Sequence, residues 1–159
     1  MNRPLSKRLD HDYITVYRIS SLITHAIGYA LVIAYTALAG SKGWTFLPAW
    51  IALAVVTLSA VWFTWFIPLW KYRSFQYELF DEELELSSGI IFKKNVLIPM
   101  VRVQHVELES GPLMRKYKLA SVKVVTAATT HEISGLKQEE ASELKQQIGL
   151  LAKVDDQDE

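Results

Sequence analysis

The chain has 159 residues, and its 17 basic and 17 acidic side chains give a formal net charge of zero, while half of its residues are hydrophobic. It contains no cysteine, which excludes disulfide bonds, thiolate metal ligands and cysteine nucleophiles. The balanced charge also argues against nucleic-acid binding, because the second half of the chain has no strongly basic stripe with interleaved aromatic residues.

Two uncharged runs occupy the first half of the chain. They contain 23 residues between Arg18 and Lys42, and 28 residues between Lys42 and Lys71. At a rise of about 1.5 Å per residue, a helix of either length crosses a hydrocarbon core of roughly 30 Å. The sequence therefore predicts a multi-pass protein of the cell membrane, with an N-terminal segment at 1–18, a two-helix hairpin at 19–70, and transmembrane helices at about 19–39 and 46–69.

The basic residues predict the orientation of this hairpin. The turn between the helices carries only Lys42. The basic residues that precede the first helix or follow the second helix are Arg3, Lys7, Arg8, Arg18, Lys71 and Arg73. Positive charge accumulates on the cytoplasmic side of membrane proteins, so we expect both termini in the cytoplasm.

A cleaved signal peptide is the alternative for the first run, because Ala37-Leu38-Ala39 has the form of a signal-peptidase site. The polar leader and the length of the apolar run favour a membrane span instead, since a signal core usually has roughly 7–15 residues. In either case the second helix would hold the protein in the membrane.

Small and polar residues mark the first membrane helix. Ala26, Ala30 and Ala34 recur at every fourth position and predict a close helix-packing face, either against the second helix or against another subunit. Ser21 and His25 lie near its cytoplasmic end. A transport pathway normally needs several ionisable groups, and the second helix offers only hydroxyl residues, so we expect His25 to hydrogen-bond a neighbouring helix.

In the second half of the chain, the hydrophobic pattern changes to a period of two residues. Alternation of apolar and polar residues, broken by turn residues, predicts a sheet of about six or seven strands. The apolar positions are Phe75, Tyr77, Leu79, Leu84, Leu86, Val101, Val103, Val106, Val122 and Val124. Ala141, Leu144, Ile148 and Leu151 then predict an amphipathic helix of about 15 residues that begins near Ser134 or Gly135 and covers the sheet.

The order of short motifs in this half resembles the bacterial pleckstrin-homology domain of the second type. The motifs are Ile98-Pro99, Val103-Gln104-His105-Val106 and Ser110-Gly111-Pro112-Leu113, followed by residues 115–120 and 122–127. With two helices placed before it, the chain over residues 17–151 is similar to the small YdbS-like membrane proteins.

The resemblance implies a membrane α-helical hairpin joined to an α+β domain. Its pleckstrin-homology-like domain would occupy residues 74–152 as a seven-stranded, bent antiparallel sheet or partial barrel with a C-terminal helix, before an acidic tail at 153–159. It implies no catalytic residue set, and it implies a protein partner: a larger membrane protein with the same domain type, or a second copy of the chain.

No set of residues predicts a catalytic, cofactor or metal site, and we do not expect an enzyme. The chain lacks a nucleophile elbow, a phosphate-binding glycine loop and an H-E-x-x-H pair. His11, His25, His105 and His131 have no metal-ligand spacing. An acidic group in and after a predicted turn is interpreted as solvated charge, and it consists of Asp81, Glu82, Glu83 and Glu85.

Basic residues of the second half form two groups, Lys93 and Lys94 in one turn and Arg115, Lys116 and Lys118 after Pro112. If they share one rim, they are candidate contacts for anionic lipid or phosphate, each worth roughly 1 kcal/mol beside a charged leaflet. The alternative is that they are ordinary solubilising charges.

These features predict a membrane-anchored, non-catalytic interaction or scaffold protein that displays a cytoplasmic pleckstrin-homology-like domain within a membrane complex. The alternative is a small subunit of an oligomeric transport or export system, which requires oligomerisation because two helices cannot enclose a pore.

Overall fold

The computed structural model describes residues 5–89 and 92–155, with the side chains of residues 153–155 left out. Arg3 and residues 156–159 of the predicted acidic tail lie outside the described residues. The chain forms two compact units. The hairpin unit is Thr15–Leu69, and the sheet unit combines the described residues before Thr15 with those after Leu69.

Long apolar helices make up the hairpin unit. Helix α1 spans Asp12–Lys42, and the second stretch consists of α2 at Leu47–Val61, a π-helical turn at Trp62–Phe66 and α3 at Ile67–Ser74. The two stretches have 31 and 28 residues and mean hydropathies of 1.7 and 2.0, and only 6% of the most apolar part of each is buried. Outward-facing aliphatic side chains of this kind suit a hydrocarbon solvent, which confirms the predicted hairpin.

Pro68 does not end the second helix, since α3 continues to Ser74. The helix is irregular just before Pro68, where the N–H of Ile67 donates to the carbonyl of Trp62, five residues back. A proline ring crowds the carbonyl four residues before it and supplies no N–H. The wider π-helical turn accommodates this defect while the helix continues.

Two antiparallel sheets form the sheet unit. The first has the order β1-β2-β3-β4, with β1 at Lys7–Arg8, β2 at Gln76–Leu79, β3 at Glu83–Ser88 and β4 at Lys94–Pro99. The second has the order β5-β6-β7, with β5 at Val103–Glu109, β6 at Leu119–Thr126 and β7 at Thr130–Lys137. A 3₁₀ turn at Met100–Arg102 joins the sheets, α4 at Pro112–Lys116 joins β5 to β6, and α5 at Gln138–Asp155 ends the described chain.

The core lies between α5 and the second sheet. Helix α5 packs against β5, β6, β7 and the 3₁₀ turn. Its inner face is formed by Ala141, Leu144 and Ile148, which are buried together with Val122 and Val124 of β6. The seven strands of the described residues and this terminal helix confirm the predicted α+β class.

Two local predictions were wrong. Ser134 and Gly135 belong to β7 and do not start the helix, because Ile133 and Leu136 of β7 are buried in the core. The register of β6 and β7 shifts between Ala120 and Val122, so that residues 134 and 135 form a β-bulge in which Gly135 has φ +75°. Val101 lies in the 3₁₀ turn, exposed, and not in a strand.

The segment before the hairpin belongs to the sheet unit, which adds it to the predicted domain at 74–152. Lys7 pairs with Tyr77 and Arg8 with Gln76, and Leu9, Tyr13 and Ile14 are buried. The N–H of Asp10 donates to the carbonyl of Gly135 at 2.8 Å. A separate sheet domain beginning near residue 74 would therefore lack its first strand.

A buried tyrosine ties the first sheet to α5. The hydroxyl of Tyr77 donates to Glu140 Oε1 at 2.7 Å, and the Nζ of Lys7 lies 5.9 Å from the centre of its ring. Burial, together with the bond to Glu140, raises the pKa of Tyr77 far above its ordinary value. The phenol therefore stays neutral and acts as a structural donor.

We expect Gly135→Ala to detach the N-terminal segment. An added Cβ would overlap the Tyr13 ring, and φ +75° is strained for any residue with a side chain. The cost should be about 2 kcal/mol or more, measured by thermal unfolding of the full chain in detergent. The control is Gly149→Ala in α5, where nothing lies within 4 Å of the added methyl group. Equal stability of the two variants would contradict the packing of Tyr13 on Gly135.

We expect acid to weaken the attachment of β1. The hydroxyl and N–H of Ser6 donate to Glu78 Oε2 at 2.5 and 2.8 Å, and these bonds lower the pKa of Glu78 below its ordinary 4.5. Because the folded pKa is the lower one, the carboxylate stabilises the fold above pH 4.5, and this contribution is lost as the pH falls through the folded value.

The unfolding temperature of Glu78→Gln should accordingly be lower than that of the unchanged chain near neutral pH, and the difference should vanish in acid. Glu143→Gln on the exposed side of α5 is the control and should show no such convergence. A pH-independent difference for Glu78→Gln would show that the charge of Glu78 does not stabilise the N-terminal segment.

Candidate functional site

Three side-chain hydrogen bonds join the two membrane helices. Ser21 Oγ lies 3.0 Å from Thr64 Oγ1, His25 Nε2 lies 3.2 Å from Ser59 Oγ, and the Tyr29 hydroxyl donates to Thr57 Oγ1 at 3.1 Å. We call these three pairs the polar ladder. It engages all three hydroxyl residues that the sequence placed on the second helix. Such bonds hold helices together in lipid, where water cannot compete for the polar groups.

Both ring nitrogens of His25 have hydrogen-bond partners inside the hairpin unit. Its Nδ1 lies 2.7 Å from the carbonyl oxygen of Ser21, and since a carbonyl only accepts, Nδ1 carries a hydrogen and donates it. Its Nε2 faces Ser59, and the Phe63 ring lies 6.4 Å away, centre to centre. These contacts favour the hydrogen-bonding role predicted for His25 over a part in a transport pathway.

An open groove of about 390 Å³ runs beside the polar ladder. Its lining consists of Tyr17, Ser20, Ser21, Thr24, His25, Ser59 and Phe63. Hydroxyl and imidazole groups of this kind can hydrogen-bond a polar group. The described lining contains no carboxylate.

The alanine face does not pack against the second helix, so the intrachain version of that prediction was wrong. Ala26, Ala30 and Ala34 are exposed in the hairpin unit. Gly28 faces α2 instead, where a Cβ at this position would lie 3.4 Å from Val56 Cγ1. His25 and Gly28, three residues apart, both face the second helix, and the hydrogen bonds of the polar ladder select this face. Contact of the alanine face with another subunit stays a prediction.

The five basic candidate residues lie on two different parts of the sheet unit. Lys93 precedes β4 and Lys94 begins it, opposite Ser88 of β3. Arg115 and Lys116 end α4, and Lys118 follows with φ 53° while its carbonyl accepts the N–H of Gln138. All five side chains are exposed. Their convergence on one rim stays a prediction.

A second open groove lies where the two sheets meet, and we call it the sheet-end groove. Its volume is about 560 Å³, and its lining comes from residues 97–99 and 101–104 on one side and from residues 126–129 and His131 on the other. Leu97 and Val101 are 50% and 66% exposed. Sequence reasoning missed this groove because the alternation assigned Val101 to a strand with a buried face.

The acidic group lies at a turn, as the sequence predicted. Asp81 and Glu82 are exposed between β2 and β3, and the N–H of Phe80 donates to the carbonyl of Glu83 at 2.9 Å to close the turn. Within residues 5–89 and 92–155, no three histidine or acidic side chains come together in a way that could hold a metal ion.

Comparison with known proteins identifies the family. The family model described as "Bacterial PH domain" matches residues 27–152. The chain belongs to this family. It is also 36% identical over 158 residues to the "UPF0699 transmembrane protein YdbS" of Bacillus subtilis (strain 168), and the match covers 99% of each chain. No solved structure matches. With its two apolar helices, this bacterial PH domain protein is a membrane-anchored protein, as the sequence resemblance implied.

We expect the polar ladder to stabilise the hairpin. Replacing His25 by Leu and Ser59 by Ala, singly and together, should reveal a coupling of about 1 kcal/mol, since interhelical hydrogen bonds in lipid have this size. The measurement is reversible unfolding of the full chain in mixed detergent micelles. Additive effects of the two substitutions would show that the hydrogen bond between them contributes nothing.

The control for the His25 and Ser59 substitutions is Ala30→Leu, which adds bulk to the exposed alanine face. Within the hairpin it should change the free energy of unfolding by less than about 0.5 kcal/mol, because no neighbour is displaced. A loss as large as that of His25→Leu would mean that the helix faces are assigned wrongly.

Proposed function

We propose that this bacterial PH domain protein is a membrane-anchored, non-catalytic interaction protein that displays its sheet unit on the cytoplasmic side of the membrane. Its partner in the complex is a second copy of the chain or a larger membrane protein with the same domain type. The observation that carries the proposal is the sheet-end groove, where apolar side chains stand exposed beside an edge strand.

The shape of the groove suits an extended protein segment. β4 is the last strand of the first sheet, so the backbone groups on its outer side have no neighbouring strand in that sheet. Extended peptides add to such edges through main-chain hydrogen bonds and gain specificity from adjacent side-chain pockets. Leu97 and Val101 supply apolar contact surface at this edge.

The charge of the groove points the same way. Of the described residues that line it, Arg102 alone carries a formal charge. A nearly neutral, apolar groove does not attract nucleic acid or a multiply charged metabolite. It favours a protein segment whose apolar side chains leave water on binding.

The titratable groups support a non-catalytic role. Among the described residues, the pKa values of Tyr77, Glu78 and Lys123 are shifted, and each of these groups contacts a structural partner outside the sheet-end groove. Those partners are Glu140, Ser6 and Glu109. Burial of Tyr77 and the hydrogen bonds of all three groups account for these shifts without any catalytic task.

The cytoplasmic placement rests on two arguments. Because β1 precedes the hairpin and β2 follows it, their pairing supports a topology in which both flanks of the hairpin share one side of the membrane. The basic residues of these flanks, such as Arg18 and Lys71, favour the cytoplasm as that side.

The experiment compares Val101→Glu with the unchanged full chain. A carboxylate in the sheet-end groove would have to be buried without a partner on binding, which should weaken association by roughly thirtyfold or more. Two differently tagged copies of the chain are expressed together in their own membrane and purified in mild detergent. Co-purification of the second tag, the presence of a larger protein with the same domain type, and the mass of the complex are measured.

The matched control is Leu150→Glu on α5, because Leu150 is as exposed as Val101, at 66%, and lies outside the groove. It should leave the complex unchanged. The proposal is wrong if Val101→Glu has no effect on composition and mass, if Leu150→Glu weakens the complex equally, or if the unchanged chain purifies as a monomer without a partner.

A further inference from the structure

Phe92 is a highly exposed aromatic residue of the sheet unit. Its side chain is 87% exposed, more than any other large hydrophobic side chain of the described residues. Burying a phenylalanine side chain is favourable, so an aromatic ring left in water forgoes that stabilisation. A ring in this position is available to insert into an apolar environment outside the protein.

The base of the turn that carries Phe92 is held in place. Gly89 adopts φ +98°, and a Cβ on it would overlap the carbonyl oxygen of Phe92, so no other residue fits this turn without a shift. Across the base, the Ser87 hydroxyl donates to Asn95 Oδ1 at 2.8 Å. The β3–β4 pairing thus holds both ends of the segment that carries Phe92.

The described residues that follow Phe92 are cationic. Lys93 and Lys94 follow it and are exposed, and the described residues on the β3 side of the turn are Ser87, Ser88 and Gly89. The nearest acidic side chain on β3 is Glu85, which pairs with Leu97, two positions below Asn95. An apolar ring beside two exposed lysines is complementary to an anionic bilayer surface, where the ring meets lipid and the ammonium groups meet phosphates.

The register places this tip at a particular end of the first sheet. Gln76 pairs with both Ser87 and Arg8, and Ser87 pairs with Asn95. At Gln76 the chain has just left α3, and after Arg8 it proceeds to α1. The β3–β4 pairing therefore ends, at Ser88 and Lys94, at the end of the first sheet where the chain leaves α3 and continues to α1. The acidic turn with Asp81 and Glu82 lies at the other end.

We propose that Phe92 inserts into the anionic leaflet of the membrane that the chain spans, with Lys93 and Lys94 contacting lipid phosphates. One ring and two lysines offer far less than the roughly 1,000 Å² that a specific protein interface needs, whereas they suffice for shallow insertion next to a permanent anchor. This contact adds a lipid-binding site to the protein-binding groove of the proposed function, and it uses different residues.

The absence of cysteine makes a direct test practical. Phe92→Cys in the full chain is labelled with a polarity-sensitive fluorophore and reconstituted in nanodiscs of phosphatidylcholine alone or mixed with phosphatidylglycerol. Lipids that carry a nitroxide near the headgroup report contact by quenching. We expect quenching in the anionic nanodiscs that is stronger than in the neutral ones and that falls as 1 M salt shortens the Debye length to about 3 Å. Asp81→Cys, labelled at the opposite end of the sheet, should stay unquenched.

Charge variants of the labelled chain test the two lysines. Lys94→Gln should reduce the insertion equilibrium about fivefold, and the double change Lys93→Gln with Lys94→Gln about thirtyfold. Lys145→Gln, an equal loss of charge on the exposed side of α5, should leave it unchanged. The proposal is overturned by equal quenching at positions 92 and 81, by equal quenching in neutral and anionic nanodiscs, or by an equal effect of Lys145→Gln and Lys94→Gln. A spectral shift without lipid quenching would place the probe against protein and would overturn it as well.

Discussion

The pairing of β1 with β2 is the interaction on which the rest of this structure depends. Arg8 pairs with Gln76, and the whole membrane hairpin lies between these two residues in the sequence. The hairpin is therefore an insertion between two neighbouring strands of one sheet. The buried Leu9, Tyr13 and Ile14 and the bond from Asp10 to Gly135 extend the same attachment to the second sheet. The sheet unit is complete only when the chain returns from the membrane, because its first strand is made before the hairpin and its second strand after it.

Polar side chains have different tasks in the two units. In the hairpin unit, apolar surface faces outward and the polar ladder faces inward, since a hydroxyl or imidazole left in lipid loses its hydrogen bonds. In the sheet unit, apolar side chains fill the space beneath α5, and the bonds of Tyr77 and Glu78 attach neighbouring elements to one another. What remains exposed and apolar in the sheet unit is therefore informative. The sheet-end groove and Phe92 are exposed apolar features of the sheet unit, and from them we infer a protein-binding and a bilayer-binding surface respectively.

Family membership and the surfaces answer different questions. The family match and the similarity to a transmembrane protein establish the fold and the membrane anchor. A fold of this kind serves unrelated partners, so its binding chemistry has to come from particular residues. The residues that we propose for this chemistry are Leu97 and Val101 beside an edge strand, and Phe92 with its two lysines, which are exposed and lie outside the buried core.

The sequence by itself determined the two membrane helices, the change to strands after Ser74 and the inner face of α5, because each is a local repeat that length, period and hydrophobicity specify. Only the tertiary structure decided the rest. β1 has two residues, too few for any alternation, and exists because β2 offers an edge. Gly135 lies in a segment whose residues suit the start of a helix, but the pairing of β7 with β6 places it in a β-bulge. The alanine face has a packing pattern, yet the hydrogen bonds of Ser21 and His25 turn a different face toward α2. In each case the outcome depends on residues far apart in the chain, which no local pattern contains.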